Sequence, residues 1–197
     1  MCKLKKKGGY VVAKLIMNVG GMFSGKSTEL QKQGQRHLYA KQNVVFLKPI
    51  VDDRYSDDEI VTHDGKGVKA INIEKSIMIP EVLTADVVLI DEIQFFPLSV
   101  CKEIQDLLND GINIYVSGLD MNYRGRGFLV VEELMSIADE VHKLKAVCEM
   151  CGEDAGFTGK RKMYGPSDST FKLGEKDIYI PLCRECFCKH LERGGTV

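Results

Sequence analysis

Three groups of residues in this sequence of 197 have the types and spacing that chemistry requires. The first is Gly20-Gly21-Met22-Phe23-Ser24-Gly25-Lys26-Ser27, which matches G-x-x-x-x-G-K-[ST] between an apolar run and a helical stretch. Gly20 and Gly25 let the backbone curl so that successive N–H groups converge on a triphosphate at a helix N-terminus. In such a loop Lys26 bridges the β- and γ-phosphates and the Ser27 hydroxyl ligates Mg²⁺. The second group is Asp91-Glu92, two carboxylates delivered at the carboxyl end of the apolar run Val87 to Ile90. Alternation along a strand sends neighbouring side chains to opposite faces, so Asp91 can serve the metal while Glu92 points towards an acceptor. A carboxylate placed there suits a base that takes a proton from an attacking hydroxyl or water. That chemistry serves a kinase and an ATPase equally.

The third group is Cys148-Glu149-Met150-Cys151 with Cys183-Arg184-Glu185-Cys186, two C-x-x-C knuckles. Four thiols at this spacing make a closed tetrahedral site for structural Zn²⁺, with no open catalytic position. Five of the seven cysteines fall in the last 50 residues, and no secretory signal precedes them, so metal ligation is the expected use rather than a disulfide framework. Cys188 is expected to be a bystander, and Cys101 to be buried on a helix face. The knuckles are separated by residues 152 to 182, which is longer than the roughly 15–20 residues of a plain ribbon. Loops of that length inside a compact domain tend to be lids or binding loops. This one carries Phe157, Thr158, Tyr164, Phe171, Leu173 and Tyr179 among glycines, so it can fold over a flat small molecule; an inert insertion is the alternative.

Positioning these groups requires a layered scaffold. Apolar strands are expected at residues 10–19, 43–48, 86–90, 112–117 and 140–144, with a weaker one at 69–73. Helices are expected at 27–42, 80–84, 98–109 and 129–138; Pro80 opens one and Gly111 follows another. Residues 52–69 read as a polar loop. Continuous apolar strands alternating with helices imply a parallel sheet covered on both faces, whose ligands bind beyond the carboxyl ends of its strands. The pattern changes after Lys145. This places an α/β domain at residues 9–145 and a zinc-binding domain at 146–197.

Composition sets the outer bounds. The 44% hydrophobic and 28% charged residues exclude a disordered or fibrous chain. A formal net charge of −1 argues against a nucleic-acid backbone or an anionic membrane as main partner. No apolar run reaches the ~18 residues of a membrane span, and the basic Lys3 to Lys7 lacks the apolar core of a signal peptide, so the expected location is cytoplasmic.

With these residues in place the chain resembles the thymidine kinases of animals and many bacteria, built from a P-loop domain and a zinc-bearing lasso. The resemblance is carried by MFSGKSTEL (22–30), DDRYS (52–56) with THD (62–64), IDEIQFFP (90–97), LD…Y…GF (119–128) and G-x-x-D-x-Y-x-P-x-C-R-x-C-F (174–187). It implies a RecA-like P-loop parallel-sheet domain followed by a small zinc-ribbon domain with a lasso loop. It implies that ATP is held by Gly20, Gly21, Met22, Phe23, Ser24, Gly25, Lys26 and Ser27, by Asp52 and Arg54, and by Asp91 and Gln94. Ser27 and Asp91 would hold Mg²⁺, and Glu92 would be the base that deprotonates the 5′-hydroxyl. Met22, Phe95, Leu119, Tyr123 and Phe128 would line the thymine pocket. Thr158, Thr170, Phe171, Lys172, Leu173, Gly174 and Tyr179 would be lasso contacts. Cys148, Cys151, Cys183 and Cys186 would hold Zn²⁺.

The resemblance further implies thymidine and ATP as substrates, a homotetramer, and feedback inhibition by thymidine triphosphate. The sequence departs from the family pattern at Gly21, Ile93 and Glu175, in having Tyr at position 123, and in lacking Pro before Phe128. Two other classes share part of the motif set. A zinc-ribbon ATPase acting on nucleic acid would also need the P-loop, the acidic pair and the zinc, and the near-neutral charge disfavours it. A nucleotide-binding regulator would not need the complete set Lys26, Ser27, Asp91 and Glu92.

Overall fold

The computed structural model describes residues 13–50, 59–61, 67–161 and 178–192. Asp52, Arg54, His63, Thr170 to Gly174 and Glu175 lie outside the described residues, as do Cys2 and the basic start.

The chain begins with β1 (Leu15–Val19), the glycine loop and α1 (Lys26–Tyr39), followed by β2 (Val44–Pro49). A short antiparallel pair, β3 (Glu59–Val61) with β4 (Gly67–Lys69), precedes β5 (Ile71–Ile73). Then come α2 (Pro80–Leu83), β6 (Val87–Ile90), a 3-10 turn at Ile93–Phe95, and α3 (Ser99–Asn109). The main sheet is completed by β7 (Asn113–Gly118) and, after α4 (Leu129–Ile137), by β8 (Glu140–Lys143). The remaining elements are short: β9 (Ala146–Val147), β10 (Asp154–Ala155), β11 (Phe157–Lys160), β12 (Tyr179–Leu182) and α5 (Arg184–Glu192).

Six strands form one sheet in the order β5-β2-β6-β7-β1-β8, and every pairing in it is parallel. Helices cover both faces. Leu15, Met17 and Val19 of β1, Val88 and Ile90 of β6, and Ile114 and Val116 of β7 pack against Val100, Ile104 and Leu107 of α3 and Val130, Val131 and Leu134 of α4. The alternate residues Phe46, Val87 and Leu89 face the other way and pack on Leu30 of α1. This two-faced burial is why the central strands read as unbroken apolar runs. Gly34 makes the close approach of α1 possible, because a side chain there would stand 2.2 Å from the Phe46 ring.

The helices fall within a few residues of the expected bounds. The first strand starts at Leu15, five residues later than its apolar run suggested; of that interval only Ala13 and Lys14 are described, and neither is in the strand. The polar stretch 52–69, read as a loop, contains β3 and β4. Three-residue strands are too short to establish a period, and their pairing stabilises them. Cys101 is buried, as its helix face predicted.

Beyond β8 a separate apolar cluster gathers Ala146, Cys148, Ala155, Ile180, Leu182 and Phe187. Phe157 stacks on Phe187 with ring centroids 4.8 Å apart, and the Arg184 guanidinium lies 4.8 Å above Phe157. With so small a core, this part needs a further staple to be stable.

Candidate active site and metal centre

The glycine loop leaves β1 at the carboxyl edge of the sheet. Gly20 has φ of +146°, and a side chain there would stand 2.3 Å from the Leu144 carbonyl oxygen, so only bare backbone fits. Gly25, with φ of +81°, turns the chain into α1. Within the loop the Lys26 ammonium donates to the Gly21 carbonyl at 2.7 Å and the Ser24 hydroxyl donates to the same oxygen at 2.9 Å. The loop is also tied to the cysteine-bearing part, because the Met22 N–H donates to Thr158 Oγ1 at 3.0 Å. Thr158, expected among the lasso contacts, is therefore buried against the phosphate loop.

Strand order explains how the acidic group meets this loop. β7 lies between β1 and β6, so Ser117 near its end stands between the loop after β1 and the carboxylates after β6. Asp91 is 4% exposed and accepts hydrogen bonds from the Ser117 hydroxyl, from the Ser27 hydroxyl and from the Glu92 N–H at 2.9 Å. Burial, and then the charge of Glu92, push its carboxyl up to about 6, against the pull of those three donors. A buried carboxylate and a serine hydroxyl are hard oxygen donors that suit Mg²⁺, and a cation there would reverse the penalty on the carboxylate.

Glu92 is held in the left-handed region at φ 51° and ψ 45°, a conformation that costs a residue with a side chain on the order of 1–2 kcal/mol. Such strain persists only where the surroundings over-determine it. Here the Glu92 N–H donates to Asp91 Oδ1 at 2.9 Å and the Phe95 N–H donates to the Glu92 carbonyl at 3.1 Å, while Gln94 fixes the side chain: its Nε2 donates to Glu92 Oε2, and its Oε1 accepts the Leu119 N–H at 2.9 Å.

Beside these groups Met22 and Phe23 of the loop pack on Tyr123, Ile178 and Tyr179. The Tyr123 and Tyr179 rings are 6.3 Å apart. The Lys160 ammonium and the Arg124 guanidinium each lie 5.5 Å from the centre of the Tyr123 ring. Of the residues expected to line a thymine pocket, Met22 and Tyr123 are brought together, with Tyr179 of the expected lasso contacts beside them, and Leu119 is buried at the end of β7. Phe128 instead packs against the main core at the start of α4, and Phe95 is half-buried in the 3-10 turn.

Motif reading missed Ser117, Lys160 and Asp120. Ser117 is the polar residue that closes an otherwise apolar strand. Lys160 is two residues from Thr158, on the same face of β11, and period-two alternation could have found it. Asp120 is buried with the Lys143 ammonium 2.8 Å from Oδ2, although the contact lacks hydrogen-bond geometry.

The four cysteines of the two knuckles converge, with all their sulfurs within 4.8 Å of one another and Cys151 Sγ 3.6 Å from Cys183 Sγ. The Cys186 N–H donates to Cys183 Sγ at 3.4 Å. Burial opposes ionisation of Cys148, but N–H groups of Cys183, Met150 and Cys151 outweigh it and bring its thiol down to about 6. Cys186 is pushed up to about 12, first by its contact with Cys183 and then by burial. Four thiols this close can all ionise only around a cation, and four sulfur donors fit Zn²⁺. Cys188 is exposed and outside the cluster.

No helix among the described residues is long and apolar enough to cross a membrane. A solved structure of Pif1 helicases unwinding forked double-stranded DNA resembles 65% of this chain at 15% identity with a TM-score of 0.30. This chain covers 34% of that helicase chain, and a likeness so slight carries no argument. The family model for thymidine kinase matches residues 13–187, a span that contains the phosphate loop, the acidic pair and both cysteine knuckles. The chain belongs to the thymidine kinase family.

Proposed function

We propose that the protein transfers the γ-phosphoryl group of ATP to the 5′-hydroxyl of thymidine, and of deoxyuridine, giving the nucleoside monophosphate and ADP. The observation that carries the reading is the hydrogen bond of Ser117 to the buried Asp91, on a strand that lies between the one bearing the phosphate loop and the one bearing Glu92. In this reading the loop N–H groups and Lys26 hold the triphosphate, and Met22, Tyr123 and Tyr179 hold the base. Glu92 takes the 5′-hydroxyl proton as the 5′-oxygen bonds to the γ-phosphorus and the bridging bond to the β-phosphate breaks. Mg²⁺, when bound by Ser27 and Asp91, supplies neutralisation of the phosphate charge. Zn²⁺ on Cys148, Cys151, Cys183 and Cys186 would join the turn between the antiparallel strands β9 and β10 to the start of α5.

Asp52 and Arg54 at the phosphates and Thr170 to Gly174 over the base belong to the same proposal. So do a homotetramer and feedback inhibition by thymidine triphosphate. A panel of nucleosides incubated with ATP and Mg²⁺ and scored for monophosphate product tests it. ATP hydrolysis that requires nucleic acid and leaves every nucleoside unchanged would replace it with the motor reading.

A further inference from the structure

Gln94 is 9% exposed, and its amide makes one hydrogen bond from each end. The Leu119 N–H can only donate, so the amide oxygen must face it, at 2.9 Å. That orientation leaves the NH₂ group for the Glu92 carboxylate, which can only accept when ionised. Flipping the amide would set donor against donor and acceptor against acceptor, so the neighbours fix its direction. The space it occupies is also reserved. A side chain on Gly118 would stand 2.7 Å from Gln94 Oε1 and 2.6 Å from Ile93 Cγ2, so the amide can lie against β7 only because residue 118 has none.

We infer that Gln94 is a positioning residue for the base, not an ATP contact as its place in the motif implied. It fixes the strained Glu92 carboxylate and ties it to Leu119, the strand end expected to wall the nucleoside pocket. This rests on the kinase reading. The group that removes the proton and the wall that places the hydroxyl are then held in one frame, so a change in one displaces the other.

The test compares Gln94→Met, Gln94→Glu and Gly118→Ala with the wild-type protein. Single-turnover phosphorylation of thymidine, KM for ATP, calorimetric ATP affinity and melting temperature are measured for each. Gln94→Met has the length but neither hydrogen bond. Gln94→Glu keeps an acceptor for the Leu119 N–H and loses the donor to Glu92, which separates positioning from mere support of the turn. Gly118→Ala removes no functional group and displaces the amide together with the Ile93 side chain.

A shift of about 1 Å in a reacting group costs roughly a hundredfold, so both Gln94 variants should lose about that much in single-turnover rate. Gly118→Ala should fall in the same direction, and ATP affinity should stay within about twofold throughout. A tenfold or greater loss of ATP affinity with the rate retained would make Gln94 an ATP contact and overturn the inference. So would a normal rate in whichever Gln94 variant retains the wild-type melting temperature. A wild-type protein that phosphorylates no nucleoside would instead overturn the kinase reading, and this role with it.

Discussion

Replacing Asp91 with asparagine removes a buried negative charge at the end of β6 while keeping nearly the same shape. Burial and the neighbouring Glu92 raise the Asp91 carboxyl from its ordinary 3.8 to about 6, despite hydrogen bonds from Ser117, Ser27 and the Glu92 N–H. An acid whose folded pKa lies above its unfolded one contributes stability that is complete below the unfolded value and lost as pH rises through the folded one. For Asp91 that window runs from about 4 to just above 6. A shift of about two units at 1.4 kcal/mol each makes the loss roughly 3 kcal/mol. The Asp91→Asn variant carries no charge at this position and should not suffer it. Whatever the amide costs in its contacts with the two serines is the same at every pH, so the informative quantity is the change in the difference between the two proteins.

Denaturant titrations in magnesium-free buffer at pH 4, 5, 6 and 7 would measure it. They are best followed by far-UV circular dichroism, since the chain has no tryptophan. The unfolding free energy of Asp91→Asn relative to wild type should rise by roughly 2–3 kcal/mol between pH 4 and pH 7. Mg²⁺ with ATP should recover the difference in the wild type alone. Parallel curves across this range, or a variant that loses ground as pH rises, would refute the account of Asp91 as a charge the fold holds at a cost.

Other substitutions address other parts of the molecule. Glu92→Gln should lower turnover by roughly 10²–10⁴-fold with ATP affinity nearly unchanged, as read by product formation and calorimetry; near-normal turnover removes Glu92 from its role. Cys183→Ser should lose the bound zinc, by elemental analysis. It should also lose hydrogen-exchange protection in residues 146–160 and 179–192 while β1 to β8 stay protected; retained protection there would mean that the metal is not the staple. Gly34→Ala should destabilise by about 1–3 kcal/mol in thermal melts, because its new methyl group meets Phe46, and Phe46→Leu should restore much of the loss. An unchanged melting temperature would show that α1 does not lie as close to β2 as described.

The layered fold was legible because each of its central strands is buried on both faces. Val87 to Ile90 has no polar interruption, and such a run between helical stretches has few other solutions. The phosphate loop and the cysteine knuckles were legible because their members are close in sequence and their spacing is fixed by the ligand. What escaped lies between elements. Ser117 meets Asp91 only because β7 is inserted between β1 and β6, an order that no periodicity encodes. Thr158 meets Met22 across 136 positions, and Gln94 meets Leu119 across 25. Gln94 belongs to an acidic motif in the sequence, but the direction of its amide depends on a backbone N–H supplied by a neighbouring strand.

The place of β1 in the sheet has a consequence for how the protein is made. Its partners on both sides, β7 and β8, are the last two strands of the sheet to be synthesised, and Val19 pairs with Gly118 and Lys143. The 124 positions from Val19 to Lys143 take a ribosome roughly 6–25 s at about 5–20 residues per second. For the first 99 of those positions, until Gly118 is made, the glycine loop is attached to a strand with neither neighbour, and closing so distant a pairing is intrinsically slow. The loop that appears early in the sequence leaves a strand that is flanked on both sides only once β7 and β8 have been made.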